Sequence, residues 1–331
     1  MFKIRQLVCG ISCLFLVGCG SQATNESTAG QTLQNITIAQ FGHVFVYIPL
    51  YVALDQGFLK DEGLEVKLVS TGGDEKTFAA VATGNAQFGV SDPTFTAIAR
   101  ERGQGGKVVA AVVKGVPLSV VSFKNIKPFQ EPAGFSGDRI ATYSAPSTSY
   151  TVMKQLLENN GHPVNAKIVQ GAFGTLQAMV KSNQADMALE VEPMVSTAVA
   201  NQGHIVFEVN RKYPTFAFTG LMVSDQFRQE HPEQVQAAVT ALSRALKFIQ
   251  TNQEDAVQIA KKEFPELPED VVRSALKHLV AEGNVPKTAV LDKQAWNNAI
   301  KLRQEAGDLK EGGGSYEDNV DISFATKAQS L

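Results

Sequence analysis

The chain has 331 residues, of which 44% are hydrophobic and 19% are charged, and its formal net charge at pH 7 is −3. This composition excludes a disordered chain and argues against a nucleic-acid partner, because it supports a packed core and offers no excess of basic residues. The length is sufficient for two domains of ordinary size.

The first predicted element is a secretory leader that ends at a lipidation site. Two basic residues precede an apolar run over residues 7–17, which is too short to span a bilayer and has the length of a signal-peptide core. The run ends in Leu-Val-Gly-Cys, which resembles the cleavage box of bacterial lipoproteins. We therefore predict a lipoprotein signal peptide over residues 1–18, a lipid on Cys19 and a flexible tether over residues 19–34. An ordinary signal peptide that contains cysteines is the alternative.

The predicted mature chain is acidic and carries no cysteine beyond its lipidation site. Because Cys9, Cys13 and Cys19 are the three cysteines of the sequence, no disulfide, thiolate metal site or cysteine nucleophile is available after Cys19. Removing Lys3 and Arg5 from the 30 basic residues leaves 28 against 33 acidic ones, a formal charge of −5. No later segment has about 18 consecutive apolar residues, so we expect an extracytoplasmic protein held by its lipid anchor in the periplasm or on the outer face of the cell.

Strand, loop and helix alternate along residues 36–93. Three apolar segments, residues 36–41, 64–69 and 86–90, predict buried strands, each followed by a polar or glycine-rich loop. This order predicts parallel strands joined by right-handed crossovers, so the strand-end loops gather at one sheet edge, where open α/β sheets bind ligands. The candidate ligand-binding residues of these loops are His43, Phe45, Tyr47, Gly72, Gly73, Asp74, Ser91 and Asp92.

A second block with the same alternation follows a proline- and glycine-rich segment over residues 124–137, which we interpret as a crossing between domains. Its predicted strands cover residues 139–143, 166–169 and 186–189. Hydroxyls at the start of the first helix can hydrogen-bond a polar ligand, stabilise negative charge, or only cap that helix. The candidate ligand-binding residues of this block and of the following return segment are Ser147, Thr148, Ser149, Phe173, Glu190, Glu192 and Phe218.

The rest of the chain is predicted to return to the first domain and then become helical. Residues 215–223 are apolar and rich in strand-forming residues, and beyond them apolar residues at helical spacing indicate helix faces that belong to the core. The predicted architecture is an α/β fold of two lobes, each a mostly parallel sheet flanked by helices. Lobe 1 is assigned residues 35–124 and 220–331, and lobe 2 residues 125–219.

The strand-end residues do not form a complete catalytic or metal-binding set. His43 has no second histidine or cysteine in register, which argues against a metal site, and no serine lies in a nucleophile elbow. Asp92, Glu190 and Glu192 can bind a cation, act as acid and base, or cap the helices that follow them. We therefore predict a protein that is not an enzyme and holds neither metal nor cofactor. An anchored hydrolase or isomerase using Asp92, Glu190 or His43 is the alternative.

The chain resembles the family of solute-binding proteins of bacterial ABC importers that includes the sulfonate, nitrate and thiamine-pyrimidine-precursor binders. The resemblance rests on the leader, on residues 39–63 with Pro-Leu-Tyr-Val-Ala at 49–53, on Gly-Leu-Glu-Val at 63–66 and on Glu192-Pro193, and it covers roughly residues 36–248. It implies the type II fold of periplasmic binding proteins, with two lobes on a two-strand hinge. It also implies a small-molecule solute between the lobes and a membrane permease as partner; the expected form is a monomer.

The sequence departs from two branches of this family. Thiamine-precursor binders carry a Trp-x-Pro-Asn-x-Asn-His run after the first strand, and only His43 matches it here. The related pyrimidine-synthesising enzymes of fungi carry a cysteine cluster, which a chain without cysteine after Cys19 cannot supply. These departures leave the identity of the solute open.

The charge of the predicted loops favours a neutral or cationic, flat, nitrogen-containing solute. The loops offer Asp74, Asp92, Glu190 and Glu192, and apart from Lys76 they offer no lysine or arginine. A sulfonate or nitrate site needs cationic or amide donors, and buried charges need partners. Aromatic residues in the same loops can stack on a flat ring. An oxyanion is the alternative solute.

Overall fold

The structure is a computed structural model that describes residues 33–158 and 163–330. The predicted signal peptide, Cys19 and nearly all of the predicted tether lie outside these residues. Within the two described ranges, no helix combines the length and the apolar character needed to cross a membrane.

The strands form two five-stranded mixed sheets. In chain order they are β1 Gln34–Gln40, β2 Leu64–Ser70, β3 Phe88–Ser91, β4 Gly106–Lys114, β5 Leu118–Ser122, β6 Arg139–Tyr143, β7 Lys167–Gly171, β8 Met187–Val191, β9 His204–Glu208 and β10 Ala217–Ser224. The first sheet has the order β2-β1-β3-β10-β4, and the second has the order β7-β6-β8-β5-β9. The prediction of two sheets in two lobes is therefore confirmed.

The direction of the strands differs from the predicted, mostly parallel arrangement. β1 and β6 each run parallel to both of their neighbours, whereas β10 and β5 run antiparallel to both of theirs. β5 and β10 are the strands that enter a lobe directly from the other lobe. Each sheet is therefore mixed, because the incoming strand is inserted against the direction of the others.

Helices flank both sheets. In chain order they are α1 Ile48–Asp55, α2 Phe58–Asp61, α3 Asp74–Ala82, α4 Phe95–Arg100, α5 Thr148–Glu158, α6 Leu176–Lys181, α7 Met194–Ala200, α8 Asp225–Glu230, α9 Pro232–Thr251, α10 Gln253–Glu263, α11 Glu269–Ala281, α12 Lys293–Ala306, α13 Tyr316–Asn319 and α14 Ser323–Gln329. The apolar face predicted on α9 is core, since Val235, Val239 and Leu246 are all fully buried. Each such side chain stabilises the fold by about 1.5–3 kcal/mol.

The chain crosses between the lobes at two places, and the first lies earlier than predicted. β4 pairs within the first sheet, and β5 pairs with β8 and β9 of the second sheet, so the chain crosses at residues 115–117 and not at 124–137. The predicted boundary after residue 124 leaves Leu118–Ser122 in lobe 1, where this strand makes no pairing. The return crossing lies at residues 209–216, before β10.

Two asparagines hold the crossings side by side. Asn210 accepts a hydrogen bond from the Val116 amide at 3.0 Å, and Asn284 donates to the Lys114 carbonyl at 2.9 Å and to Asn210 at 3.2 Å. Gly115 adopts a φ of +69°, and a Cβ built on it would lie 2.1 Å from the Asn210 side-chain oxygen. The first crossing therefore requires glycine at this position.

Candidate functional site

A cavity lies between the two lobes, where strand ends from both sheets face each other. Counting its mouth, the empty volume of this interlobe cavity is about 540 Å³. The first lobe contributes Phe41, Val44, Val46, Tyr47, Asp74, Asp92, Phe218 and Thr219 to its wall. The second lobe contributes Leu118, Tyr143, Ser147, Thr148, Ser149, Phe173 and Val191.

More than half of the residues predicted from sequence lie in this wall. They belong to the loops after β1, β3 and β7, to the starts of α3 and α5, and to β10, because the alternation of strand and helix brings these segments to facing edges. They are Tyr47, Asp74, Asp92, Ser147, Thr148, Ser149, Phe173 and Phe218. Their contact with a ligand stays a prediction.

The carboxylate of Asp92 is fully occupied by protein donors. Its Oδ1 accepts hydrogen bonds from the amide of Thr94 at 2.8 Å and from the Thr94 hydroxyl at 2.6 Å. Its Oδ2 accepts from the Thr148 hydroxyl of the other lobe at 2.5 Å and from Arg303 at 2.7 Å. Four bonds fill the usual acceptor capacity of a carboxylate, so Asp92 joins the lobes and has little capacity left for a ligand.

Asp74 is the carboxylate of the wall that keeps free acceptor capacity. It begins α3 and lines the cavity, where its Oδ1 accepts one hydrogen bond, from the Asp92 amide at 3.0 Å. Its Oδ2 has no donor among the described residues. Burial, together with the negative charge of Asp92, raises the pKa of Asp74 from 3.8 to about 6. A ligand N–H group or cation placed here would supply the missing partner.

Glu190 lies behind the cavity wall, which corrects the prediction that it faces the ligand. Side chains alternate along β8, and Val191 points into the cavity while Glu190 points away from it. The Tyr143 hydroxyl donates to Glu190 Oε2 at 2.7 Å, and Oε1 has no hydrogen-bond partner among the residues that the structure describes. Burial raises the pKa of Glu190 from 4.5 to about 7. Glu190 thus positions Tyr143, whose ring lies 5.5 Å from that of Phe173 in the wall.

Replacing Glu190 with glutamine is expected to stabilise the protein at pH 8 by about 2 kcal/mol and to have almost no effect at pH 5. Because the pKa of Glu190 is raised in the folded chain, its ionisation costs stability as pH rises from about 5 through about 7. Glutamine removes that cost and still accepts the hydrogen bond from Tyr143. Urea unfolding of both proteins at pH 5 and pH 8 measures the difference.

Glu208→Gln on β9, which lies on the other side of β5 in the same sheet, is the matched control and should have the opposite effect. Burial acts to raise the pKa of Glu208, but His278, whose Nε2 lies 3.5 Å from its carboxylate, and a hydrogen bond from the Ser119 hydroxyl outweigh it and hold the pKa below its usual value. Ionised Glu208 therefore stabilises the fold, and its replacement is expected to lower stability at pH 8. Equal effects of the two substitutions on the free energy of unfolding would contradict the raised pKa of Glu190 and the lowered pKa of Glu208.

Glu192 does not face the interlobe cavity, which corrects its prediction as a ligand contact. It is 1% exposed, and its carboxylate accepts from the Ser196 amide and the Ser196 hydroxyl, both at 3.0 Å, at the first turn of α7. Its Oε1 also lies 2.7 Å from His278 Nδ1, beside a second cavity of about 680 Å³ between α7 and α11. Glu192, followed by Glu208, raises the pKa of His278 to about 10. Glu192 therefore caps α7 and pairs with a charged histidine.

The other predicted residues also lie outside the cavity wall. His43 is exposed and packs on the ring of Phe264 at 4.5 Å, and Phe45 is buried against the same ring at 5.3 Å. Gly72 and Gly73 form the turn that leads into α3, with Gly72 at a φ of +77°. Ser91 is buried at the end of β3, and within the described part of the chain its hydroxyl has no hydrogen-bond partner. These residues shape the loops behind the wall.

The sequence analysis did not identify the basic residue that pairs with Asp92 of the cavity wall. Arg303 on α12 is 1% exposed and pairs with Asp92. It follows Leu302 on a helix whose apolar positions indicate core, and 211 residues separate it from Asp92 along the chain. No local pattern signals such a pair. Within the described ranges, no group of three or more histidine, aspartate or glutamate residues is arranged to hold a metal ion.

Comparisons with known proteins agree with this geometry. A family model described as NMT1/THI5 like matches residues 44–256. The riboflavin-binding protein RibY of Chloroflexus aurantiacus is 23% identical over 93% of this chain and 94% of its own length. The formylaminopyrimidine-binding protein of Halalkalibacterium halodurans is 23% identical over 90% of this chain and 92% of its own length.

A solved structure has the same fold. The alkanesulfonate-binding protein SsuA of Xanthomonas axonopodis pv. citri, bound to MOPS, aligns with a TM-score of 0.65 at 16% identity, over 89% of this chain and 97% of that one. The predicted two-lobed binding-protein fold is therefore confirmed.

Proposed function

Because this chain belongs to the NMT1/THI5-like family, we propose that it is the extracytoplasmic solute-binding component of an ABC importer. It captures a small solute in the interlobe cavity and delivers it to a membrane permease. Relatives named for riboflavin and formylaminopyrimidine binding support a heteroaromatic, nitrogen-containing solute. The relatives are named as binding proteins. In the proposed role, the protein releases the solute to the permease without changing it chemically.

The observation that carries this proposal is the composition of the cavity wall. Asp74 presents a carboxylate with free acceptor capacity, and none of the residues lining the cavity is a lysine or arginine. A sulfonate or nitrate would lie beside Asp74 without a cation in the wall, which costs free energy that a neutral or cationic solute avoids. An oxyanion, suggested by the alkanesulfonate-binding neighbour, is therefore the second candidate.

Aromatic rings around the cavity support a flat solute. They come from both lobes, so a planar ring bound between them contacts each lobe as it closes. The residues are Phe41, Tyr47, Tyr143, Phe173 and Phe218. Each offset-stacked or edge-to-face contact contributes about 0.5–1.5 kcal/mol beyond the burial of its area. Phe173, which is 42% exposed at the mouth, is able to cover a bound ring.

The proposal includes a lipid anchor on Cys19 that holds a monomer at the membrane, in the periplasm or on the outer face of the cell. The basic start, the short apolar run and the Leu-Val-Gly-Cys sequence support it. Mass spectrometry of the protein purified from membranes is expected to find a diacylated cysteine as the first residue. A mature chain that begins elsewhere without lipid would contradict the anchor.

A thermal-shift screen tests the function. Pyrimidines, flavins and polyamines are expected to include the stabilising compound, whereas sulfonates and nitrate are not. At about 100 times its dissociation constant, the true solute should add roughly 2.7 kcal/mol to the free energy of unfolding, because it binds only the folded chain. Recovery of the compound unchanged after long incubation supports a binding protein. Recovery of an altered compound would identify an enzyme, and a response to sulfonate or nitrate alone would favour the second candidate.

A further inference from the structure

The buried guanidinium of Arg303 is surrounded by hydrogen-bond acceptors. Nε donates to the Thr94 hydroxyl at 3.2 Å, and Nη2 donates to Asp92 at 2.7 Å and to the Thr148 hydroxyl at 3.2 Å. Nη1 donates to the Pro146 carbonyl at 3.1 Å, the Thr151 hydroxyl at 3.3 Å and Asp308 at 2.9 Å. Its donors are thus all directed at specific partners.

These partners come from both lobes. Asp92 and Thr94 lie in the loop between β3 and α4 of the first lobe, whereas Pro146, Thr148 and Thr151 lie at the start of α5 in the second lobe. Helix α12, which carries Arg303, packs against both β10 and α5. One side chain therefore connects the two segments that contribute Asp92 and Thr148 to the cavity wall, without itself forming part of that wall.

We propose that Arg303 is an interlobe latch, which stabilises the closed arrangement of the lobes through contacts between protein groups alone. The inference rests on the proposed function, since a binding protein that loads and unloads a solute must open and close. Opening moves the acceptors of α5 away from Asp92, so the planar guanidinium of Arg303 loses some of its buried hydrogen-bond acceptors. The closed form is therefore populated without solute. Binding then shifts the balance between open and closed forms only by the difference between their affinities for the solute.

The latch is tested by small-angle X-ray scattering of the purified protein without solute. The double variant Thr148→Val and Thr151→Val removes two second-lobe acceptors of Arg303, and with Thr148 also the direct hydrogen bond to Asp92, and leaves the pair of Arg303 with Asp92 in place. The variant Arg303→Met removes the guanidinium group. Both are expected to raise the ratio of open to closed molecules at least about tenfold and to increase the radius of gyration, because buried donors or charges lose their partners.

Thr142→Val is the matched control. Thr142 is a fully buried threonine of the same lobe, and its hydroxyl donates to the Tyr143 carbonyl and not across the lobes. It should keep the scattering curve of the wild type. Circular dichroism and urea unfolding identify any variant that does not fold. If Arg303→Met does not fold, Thr151→Val alone, which removes an acceptor of Arg303 and keeps the bond between Thr148 and Asp92, decides whether an increase in the double variant comes from Arg303.

An unchanged radius of gyration in the folded valine double variant would overturn the latch. An equal increase in the Thr142→Val control would also overturn it, because the effect would then not depend on contacts across the lobes. No solute enters this measurement, so failure of the latch and failure to find a solute are separate results.

Discussion

Replacing Asp74 with asparagine is expected to weaken binding of the solute at least about tenfold and to raise the stability of the solute-free protein at neutral pH. Asparagine removes the charge that a cation or a polarised N–H group pairs with, and hydrogen bonds to charged groups contribute about 1.5–3 kcal/mol. The same change removes the charge whose burial, together with repulsion from Asp92, raises the pKa of Asp74 to about 6. The expected gain in stability is on the order of 1–2 kcal/mol.

The pH dependence of binding and of stability should run in opposite directions. The solute binds ionised Asp74, so its affinity is constant above about pH 7 and falls as pH is lowered through about 6. The folded chain holds this proton more tightly than the unfolded chain, so the cost of ionising Asp74 is relieved between about pH 6 and pH 4. Titration calorimetry and urea unfolding across pH 5–8 measure the two effects.

Glu75→Gln is the control for Asp74. Glu75 is the next residue of the same helical turn, and it is exposed and pairs with Arg102 at 3.0 Å. Its substitution changes the chain charge by the same amount and should alter affinity less than twofold, because exposed pairs contribute little. Equal losses in both variants would mean that binding depends on overall charge and not on a contact at Asp74.

Replacing Glu192 with glutamine is expected to lower the free energy of unfolding by about 2–4 kcal/mol and to change solute affinity by less than about threefold. The carboxylate is buried, faces away from the interlobe cavity and pairs with His278. Removing the carboxylate leaves His278 with only Glu208, 3.5 Å away, as a partner, and loss of one member of a buried pair is costly. Urea unfolding at pH 8 measures the loss, and calorimetry with the identified solute measures the affinity.

The loss caused by Glu192→Gln should depend on pH through His278. Glu192 and Glu208 raise the pKa of His278 from 6.5 to about 10. A raised histidine pKa gives stabilisation that is complete below about pH 6.5 and disappears as pH rises through about 10, so the two proteins should differ most at pH 6 and least above pH 10. Asp270→Asn, an exposed acidic residue beside the same second cavity, should show no such trend. A large loss of affinity with unchanged stability would instead make Glu192 a solute contact.

The wall of the interlobe cavity could largely be predicted from sequence because it depends on the order in which strands, loops and helices follow one another along the chain. A strand followed by a polar loop and a helix directs its loop to one sheet edge, wherever the strand later pairs. This is why Asp74, Asp92 and Thr148 were predicted for facing edges, and the structure brings Asp92 and Thr148 into direct contact. The prediction needed no knowledge of how the lobes are oriented.

The prediction failed where the direction of one side chain or a distant partner decides the outcome. Glu192 follows a strand as expected, but its carboxylate turns to the amide of Ser196 and to His278, which is 86 residues away. Arg303 lies on a helix face that indicates core, and only the fold brings it to Asp92. Long-range ion pairs of this kind leave no periodic signal in a sequence.

The first crossing was misplaced because its connection is very short. Residues 115–117 separate β4 from β5, and a glycine and a proline at such a connection are also typical of a turn between two strands of one sheet. The proline-rich segment over residues 124–137 offered a longer and more conspicuous boundary. The structure shows that three residues are enough to pass from one sheet to the other.

Helices α11 and α12 carry His278 and Arg303, two basic side chains that contact residues of the second lobe, and both lie beyond residues 44–256. In the proposed arrangement, the residues that contact the solute and the residues that stabilise closure lie in separate stretches of the chain. A change in this C-terminal stretch can alter how long a solute is retained before it is handed over, while the chemical selectivity of the protein stays the same. Chimeras that exchange only these helices between relatives would therefore be a way to tune residence time.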